Sequence, residues 1–118
     1  MLKFKIPFLL PSLNDYVDIC RGNRYSASKH KKEIEKSIMW CIPKVELTMP
    51  VFIRFIWYEP TKRRDKDNVA FAKKYILDAL QKKNVLPNDN NKWIIGFSDE
   101  FVYGDEGVVV TLIQKEDG

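Results

Sequence analysis

At 118 residues, the chain suffices for one compact domain with a real core and is short for two. Its 45% hydrophobic and 31% charged residues are those of ordinary globular material and exclude a disordered chain. A net charge of +4 favours polyanion partners only weakly, so the distribution of charge has to decide.

The opening MLKFKIPFLLPSLND sets Leu2, Phe4, Ile6 and Phe8 on one side and Lys3, Lys5 and Pro7 on the other, and its apolar run stops at Pro11. This reads as a strand rather than a signal peptide. No segment approaches the ~18 apolar residues of a membrane span, so the expectation is a soluble, cytoplasmic protein with no membrane partner. Cys20 and Cys41 have neither metal-like nor redox-like spacing and are expected as reduced thiols. The single His30, set in a lysine-rich run, offers no zinc site.

Residues 11–33 are polar and basic and read as a long loop feeding a helix capped by Ser26 or Ser28. Ile34, Ile38 and Cys41 or Ile42 recur at helical spacing until Pro43 stops the helix. Next, Val51, Ile53, Phe55 and Trp57 alternate with Phe52, Arg54, Ile56 and Tyr58. Both sides are mostly apolar, which predicts a central strand ending at Pro60. A second helix over 68–83 has Val69, Ala72, Ile76, Ala79 and Leu80 on one stripe, Lys74 and Asp78 one turn apart and able to pair, and Asn84 as a left-handed cap. The runs WIIGFSDEFVY and VVVTLIQ, joined by GDEG, are expected to form a hairpin. The order β, α, β, α, β, β predicts a single α+β domain over 1–118, with a mixed sheet of about four strands and two main helices packed on it.

The stretch KRRDKDNVAFAKKYILDAL, residues 62–80, places Asp65 and Asp67 at the mouth of the second helix among Lys62, Arg63, Arg64 and Lys66. Two residues apart in an extended segment, both carboxylates would point to one side and could offer hard oxygen ligands to one cation. At ~4 Å such carboxylates repel by about 1 kcal/mol in water and about 4 at an effective dielectric of 20, so positive charge should compensate. The plain alternative is that Asp67 or Asn68 caps the helix while Asp65 is a turn residue paired with neighbouring arginines. A calcium loop does not fit, because Val69 occupies the fifth position and no glycine follows. Downstream, LPNDNNKW places Asp89 in a polar loop just past the helix.

Taken together, Arg64, the D-x-D-N of Asp65, Asp67 and Asn68, a lysine-bearing helix ending in Leu77-Asp78-Ala79-Leu80, and Asp89 nine residues later resemble the RusA family of Holliday-junction resolvases (crossover junction endodeoxyribonucleases). The stretch Pro11 to Asn14 after the first strand is a weaker match. The resemblance implies a RusA-like fold and a homodimeric nuclease, dependent on Mg2+ with Mn2+ able to substitute, that binds four-way DNA junctions and nicks opposed strands symmetrically. Asp65, Asp67 and Asp89 match the family's metal-binding catalytic aspartates. Counting back from the LDAL run puts the family's catalytic lysine at Lys74, with Lys73 as second choice; counting forward from D-x-D-N lands on Phe71, because this chain is about three residues longer between the two anchors. Asn88 stands where relatives are frequently acidic. The implied chemistry is hydrolysis of a phosphodiester by water activated at the metal, with a lysine steadying the developing charge. Two other readings carry the same residues: a non-catalytic DNA-binding module of this fold, and a nuclease acting on other branched DNA such as flaps or forks.

A continuous helix over 68–83 would measure roughly 24 Å, and the residues from Asn84 to Asp89 span about 20 Å at full stretch. Returning Asp89 to the helix start would leave almost no slack. Two chains related by a twofold axis relieve this, so each site is expected to join Asp65 and Asp67 of one subunit to Asp89 of the other. DNA contact is expected from Asn14, Lys29, Lys31, Lys32, Lys62, Arg63, Arg64, Lys66 and Asn68, with Lys82 and Lys83 by the helix end. Tyr16, Tyr25 and Tyr58 are candidates to stack on opened bases.

Overall fold

The computed structural model describes residues 1–115. In chain order the elements are β1 (Leu2–Ile6), α1 (Leu13–Gly22), α2 (Arg24–Cys41), β2 (Val51–Glu59), α3 (Lys66–Ala70), α4 (Lys73–Lys82), β3 (Ile94–Tyr103) and β4 (Gly107–Gln114). They form one α+β domain with a mixed four-stranded sheet in the order β1-β4-β2-β3. The pair β2–β3 is parallel, whereas β4 runs antiparallel to both β1 and β2.

Alternation along each strand fixes which side chains go inward. In register across the sheet, Phe4, Val110 and Phe55 line up, as do Ile6, Val108 and Trp57, and all six are buried. With Ile53 and Leu112 they meet the helical layer through Ile38, Val69, Ala72, Tyr75, Ile76, Ala79 and Leu80 in one continuous core. Pro43 follows the end of α2 as expected, and β2 stops one residue before Pro60. Asn84 takes the left-handed conformation, φ 61°.

Four expectations need correction. The polar stretch after β1 is not a loop: residues 13–22 form α1, closed by a reciprocal capping box between Ser12 and Asp15. The cap of α2 is accordingly Asn23, which accepts from the Tyr25 amide at 2.8 Å, rather than Ser26 or Ser28. The second helix is broken at Phe71–Ala72, where tight bonds such as Ala72 N–H to Val69 O (3.1 Å) and Lys74 N–H to Phe71 O (3.1 Å) replace regular helical ones. Val69 on α3 and Ile76 on α4 both pack in the core on either side of the break.

The last two strands do not form a hairpin, since β2 lies between them. The GDEG turn therefore crosses the end of β2, and Gly104 donates its N–H to the Glu59 carbonyl at 2.8 Å. Gly107 has φ +119°, and a Cβ there would stand 2.3 Å from the Ile6 carbonyl oxygen, so only glycine suits the crossing into β4.

Candidate metal and nucleic-acid site

Asp65 and Asp67 do not share one face of an extended segment. Asp65 is the extended N-cap of α3, φ −67° and ψ 150°, and Asp67 already lies in its first turn. Neither Asp67 nor Asn68 caps the helix, since both lie inside α3, and Asp65 at the cap makes no side-chain hydrogen bond. Both carboxylates are exposed, and neither forms an ion pair among the described residues despite the cations on either side.

The segment carrying them is pinned at the exit end of β2. Arg64 clasps Glu59 with both ends of its guanidinium, Nε to Oε1 at 2.6 Å and Nη2 to Oε2 at 2.9 Å, while Nη1 donates to the Leu10 carbonyl at 3.0 Å. Asp15 stands 3.6 Å from the same guanidinium. Glu59 is only 3% exposed, and the bidentate partner offsets the cost of holding a carboxylate there. Lys62 lies 5.3 Å from the centroid of the Tyr103 ring and Lys66 5.9 Å from that of Phe101, tying the same segment to the end of β3.

Asp89 lies at the other end of the sheet. It is exposed in the loop that enters β3, where the Val51 amide donates to the Trp93 carbonyl at 2.9 Å. Because β3 runs parallel to β2, Ile94 pairs with Val51 and Tyr103 with Glu59. Eight residue steps at about 3.3 Å therefore separate the Asp89 end from the Asp65–Asp67 end by roughly 26 Å. Consistently, no group of three or more His, Cys, Asp or Glu among the described residues could hold a metal ion.

The two candidate lysines differ sharply. Lys73 is folded inward: its ammonium is 2.9 Å from Asp99 Oδ2 and sits over the rings of Phe97 (4.6 Å) and Phe55 (5.2 Å). Asp99 Oδ1 accepts from Trp57 Nε1 at 2.9 Å. Lys74 is exposed and has no ion pair among the described residues; its expected partner Asp78 instead meets Lys31 at 3.3 Å. Of the predicted DNA contacts, Asn14, Lys29, Lys32, Lys62, Arg63 and Lys66 are exposed and Asn68 is half-buried. Lys31 is drawn towards Asp78 and buried Glu35, and Arg64 is spent on Glu59. Lys82 pairs with Glu35, and Lys83 donates to the Met39 and Ile42 carbonyls at the end of α2. Among the tyrosines, Tyr16 packs on Phe71 with centroids 5.3 Å apart, Tyr58 lies under Lys5, and Tyr25 is 78% exposed.

Two residues near the site escaped the sequence reading, and strand alternation was the signal for both. Glu59 continues the inward series Val51, Ile53, Phe55, Trp57, and Asp99 lies between Phe97 and Phe101; a carboxylate on such a face demands a buried cation. Away from the site, burial pushes the Tyr75 hydroxyl up to about 12, and that hydroxyl has no hydrogen-bond partner among the described residues. The Tyr16 hydroxyl is also raised, chiefly by its hydrogen bond to Cys20, and burial raises the Cys41 thiol. Cys20 and Cys41 are both free, and among the described residues no helix is long and apolar enough to cross a membrane. No protein-family model matches the chain, and no curated protein matches its sequence.

Proposed function

We propose that the chain is a magnesium-dependent endonuclease of branched DNA, acting as a homodimer on four-way junctions, with Mn2+ able to replace Mg2+. The observation that carries this reading is the state of the acidic cluster. Asp65 and Asp67 stand exposed at the start of α3 with no capping bond and no ion pair, in a segment that is itself firmly anchored. Solvated carboxylates beside Lys62, Arg63 and Lys66, which form no ion pair among the described residues, suit hard-cation binding beside a phosphate backbone.

Asp65 and Asp67 would hold the metal together with Asp89 of a second copy. When bound, magnesium supplies Lewis acidity and lowers the pKa of a coordinated water. Lys74, free and exposed, is the cation available to steady charge on the phosphoryl or leaving oxygen. Lys73 is held by Asp99 and is a packing residue in this reading. Lys29, Lys32, Lys62, Arg63 and Lys66 would meet DNA phosphates, while Arg64 positions the acidic segment through Glu59.

The test is a gel assay in magnesium comparing a synthetic four-way junction with a flap, a fork and a plain duplex, with Asp67→Asn as control. Paired nicks in the junction that vanish in Asp67→Asn support the reading. Binding without cleavage points to a non-catalytic DNA-binding module, and preferential cleavage of flaps or forks to a different branched substrate. Junction cleavage unchanged by Asp67→Asn removes the metal site.

A further inference from the structure

The two edges of the sheet are built differently. β1 is five residues long and carries Lys3 and Lys5, which discourages pairing with another strand. β3 is ten residues long, contains neither proline nor lysine, and is bonded on one side only, to β2. Asp99 and Glu100 at its centre and the irregularity near Ile95 blunt this edge only in part, and a ten-residue strand still leaves unpaired backbone groups that can template a further strand.

Its side chains are incompletely covered on both faces. Phe97, in register with Ile53, faces the helical layer and is 42% exposed; Val102, in register with Tyr58, faces the opposite side and is also 42% exposed. Ile95, at the register shift near the start of the strand, is 54% exposed. A strand beyond β3 would cover all three.

We infer that this free edge of β3 is the contact between two copies of the chain, paired antiparallel about a twofold axis near the middle of the strand; the inference rests on the two-copy site proposed above. Charge is compatible with that pairing. The carboxylates at the strand centre would face their own counterparts across the axis, but Lys73 already compensates Asp99 at 2.9 Å and Arg54 compensates Glu100 at 3.3 Å. Topology makes the pairing productive. An antiparallel twofold sets the Ile94 end of one copy against the Tyr103 end of the other, with strands about 4.7–4.9 Å apart. Asp89 leads into the first end, and the Asp65–Asp67 segment is pinned at the second. The roughly 26 Å that separates them along one chain is thus closed between chains, twice over.

The experiment uses the whole chain with Cys20→Ser and Cys41→Ser, adding single cysteines at the strand centre (Ser98→Cys, Glu100→Cys) or on the opposite edge (Lys3→Cys). Facing residues of antiparallel strands lie close enough for a direct disulfide. The expected result is a dimer by sedimentation velocity that becomes covalent on oxidation for at least one central β3 cysteine and not for Lys3→Cys. Phe97→Lys/Val102→Lys is expected to shift the population to monomer while retaining its far-ultraviolet circular dichroism. A monomer at all concentrations, or a dimer cross-linked through Lys3→Cys and not through β3, overturns the contact. Neither readout needs metal or DNA: loss of the nuclease reading leaves a β3 dimer intact, and a nuclease whose copies join elsewhere sinks the contact alone.

Discussion

Replacing Arg64 by methionine tests how the acidic segment is held. The substitution keeps most of the aliphatic bulk but removes two charge-assisted bonds to Glu59, at 2.6 and 2.9 Å, and one to the Leu10 carbonyl at 3.0 Å. Glu59, 3% exposed, is left as a buried carboxylate with no partner. Breaking one side of such a pair costs about 3–5 kcal/mol. The Arg64 side chain is 27% exposed, so water entering its place offsets part of the cost and a loss of about 3 kcal/mol is expected. In urea unfolding, with m of about 1–3 kcal/mol/M, this lowers the midpoint by about 1–3 M. The double substitution Glu59→Met/Arg64→Met removes both charges and is expected to recover at least half of the loss, because an apolar replacement of a buried ion pair is often neutral. A loss below about 1 kcal/mol for Arg64→Met, the range of a surface pair, or a double variant no better than the single, would refute the clasp as the anchor of this segment.

Lys74→Ala is expected to leave stability within about 0.5 kcal/mol and to lower the rate of junction cleavage by about 100-fold, measured in single-turnover assays. Lys73→Ala is expected to lower stability by about 1–3 kcal/mol by leaving Asp99 Oδ2 without its cation while Oδ1 keeps Trp57, and the opposite pattern for the two lysines would reverse their roles. Tyr75 has its hydroxyl pushed up to about 12 against about 10 in the unfolded chain. The folded state thus keeps its proton where the unfolded state loses it, so this contribution is intact below about pH 10 and falls away by about 2–3 kcal/mol as pH rises towards 12. Tyr75→Phe should flatten that part of the stability profile, and an unchanged slope would count against burial of the phenol. Gly107→Ala is expected to cost at least about 2 kcal/mol in thermal or urea unfolding, because a Cβ would stand 2.3 Å from the Ile6 carbonyl oxygen at φ +119°.

Where local chemistry decides conformation, the chain was legible. The alternation in β2, the stop before Pro43 and the left-handed Asn84 each follow from a residue acting on its own backbone. The helix α1 was concealed because it has no fully buried residue; its signals were the Ser12-x-x-Asp15 cap and the helical spacing of Leu13, Tyr16, Val17 and Cys20, set among polar and basic residues that read as a loop. Nothing in the residues at Phe71–Ala72 announces the helix break: no proline or glycine lies there, and Val69 and Ile76, seven residues apart, share a face with or without it. Adjacency and two glycines pointed to a hairpin between the last strands, but the choice of β2 as the neighbour of both is a long-range pairing that no short window contains.

The same distinction applies to the site. Spacing and charge singled out Asp65 and Asp67, and the family resemblance added Asp89, yet whether they meet depends on β3 running parallel to β2, which sets them at opposite ends of the sheet. Arg64 was legible as a cation but not as the partner of Glu59, because its destination lies across the end of β2. Lys73 and Lys74 are equivalent in composition and are separated only by the direction each takes from α4.

Subunit complementation tests the account at its centre. A chain carrying Asp65→Asn/Asp67→Asn and a chain carrying Asp89→Asn are each expected to be inactive on a four-way junction in magnesium. Mixed and allowed to exchange, they should form heterodimers with one intact site each, and nicking of single strands should return. Full inactivity of the mixture, with heterodimer formation verified by mass, would contradict sites shared between chains.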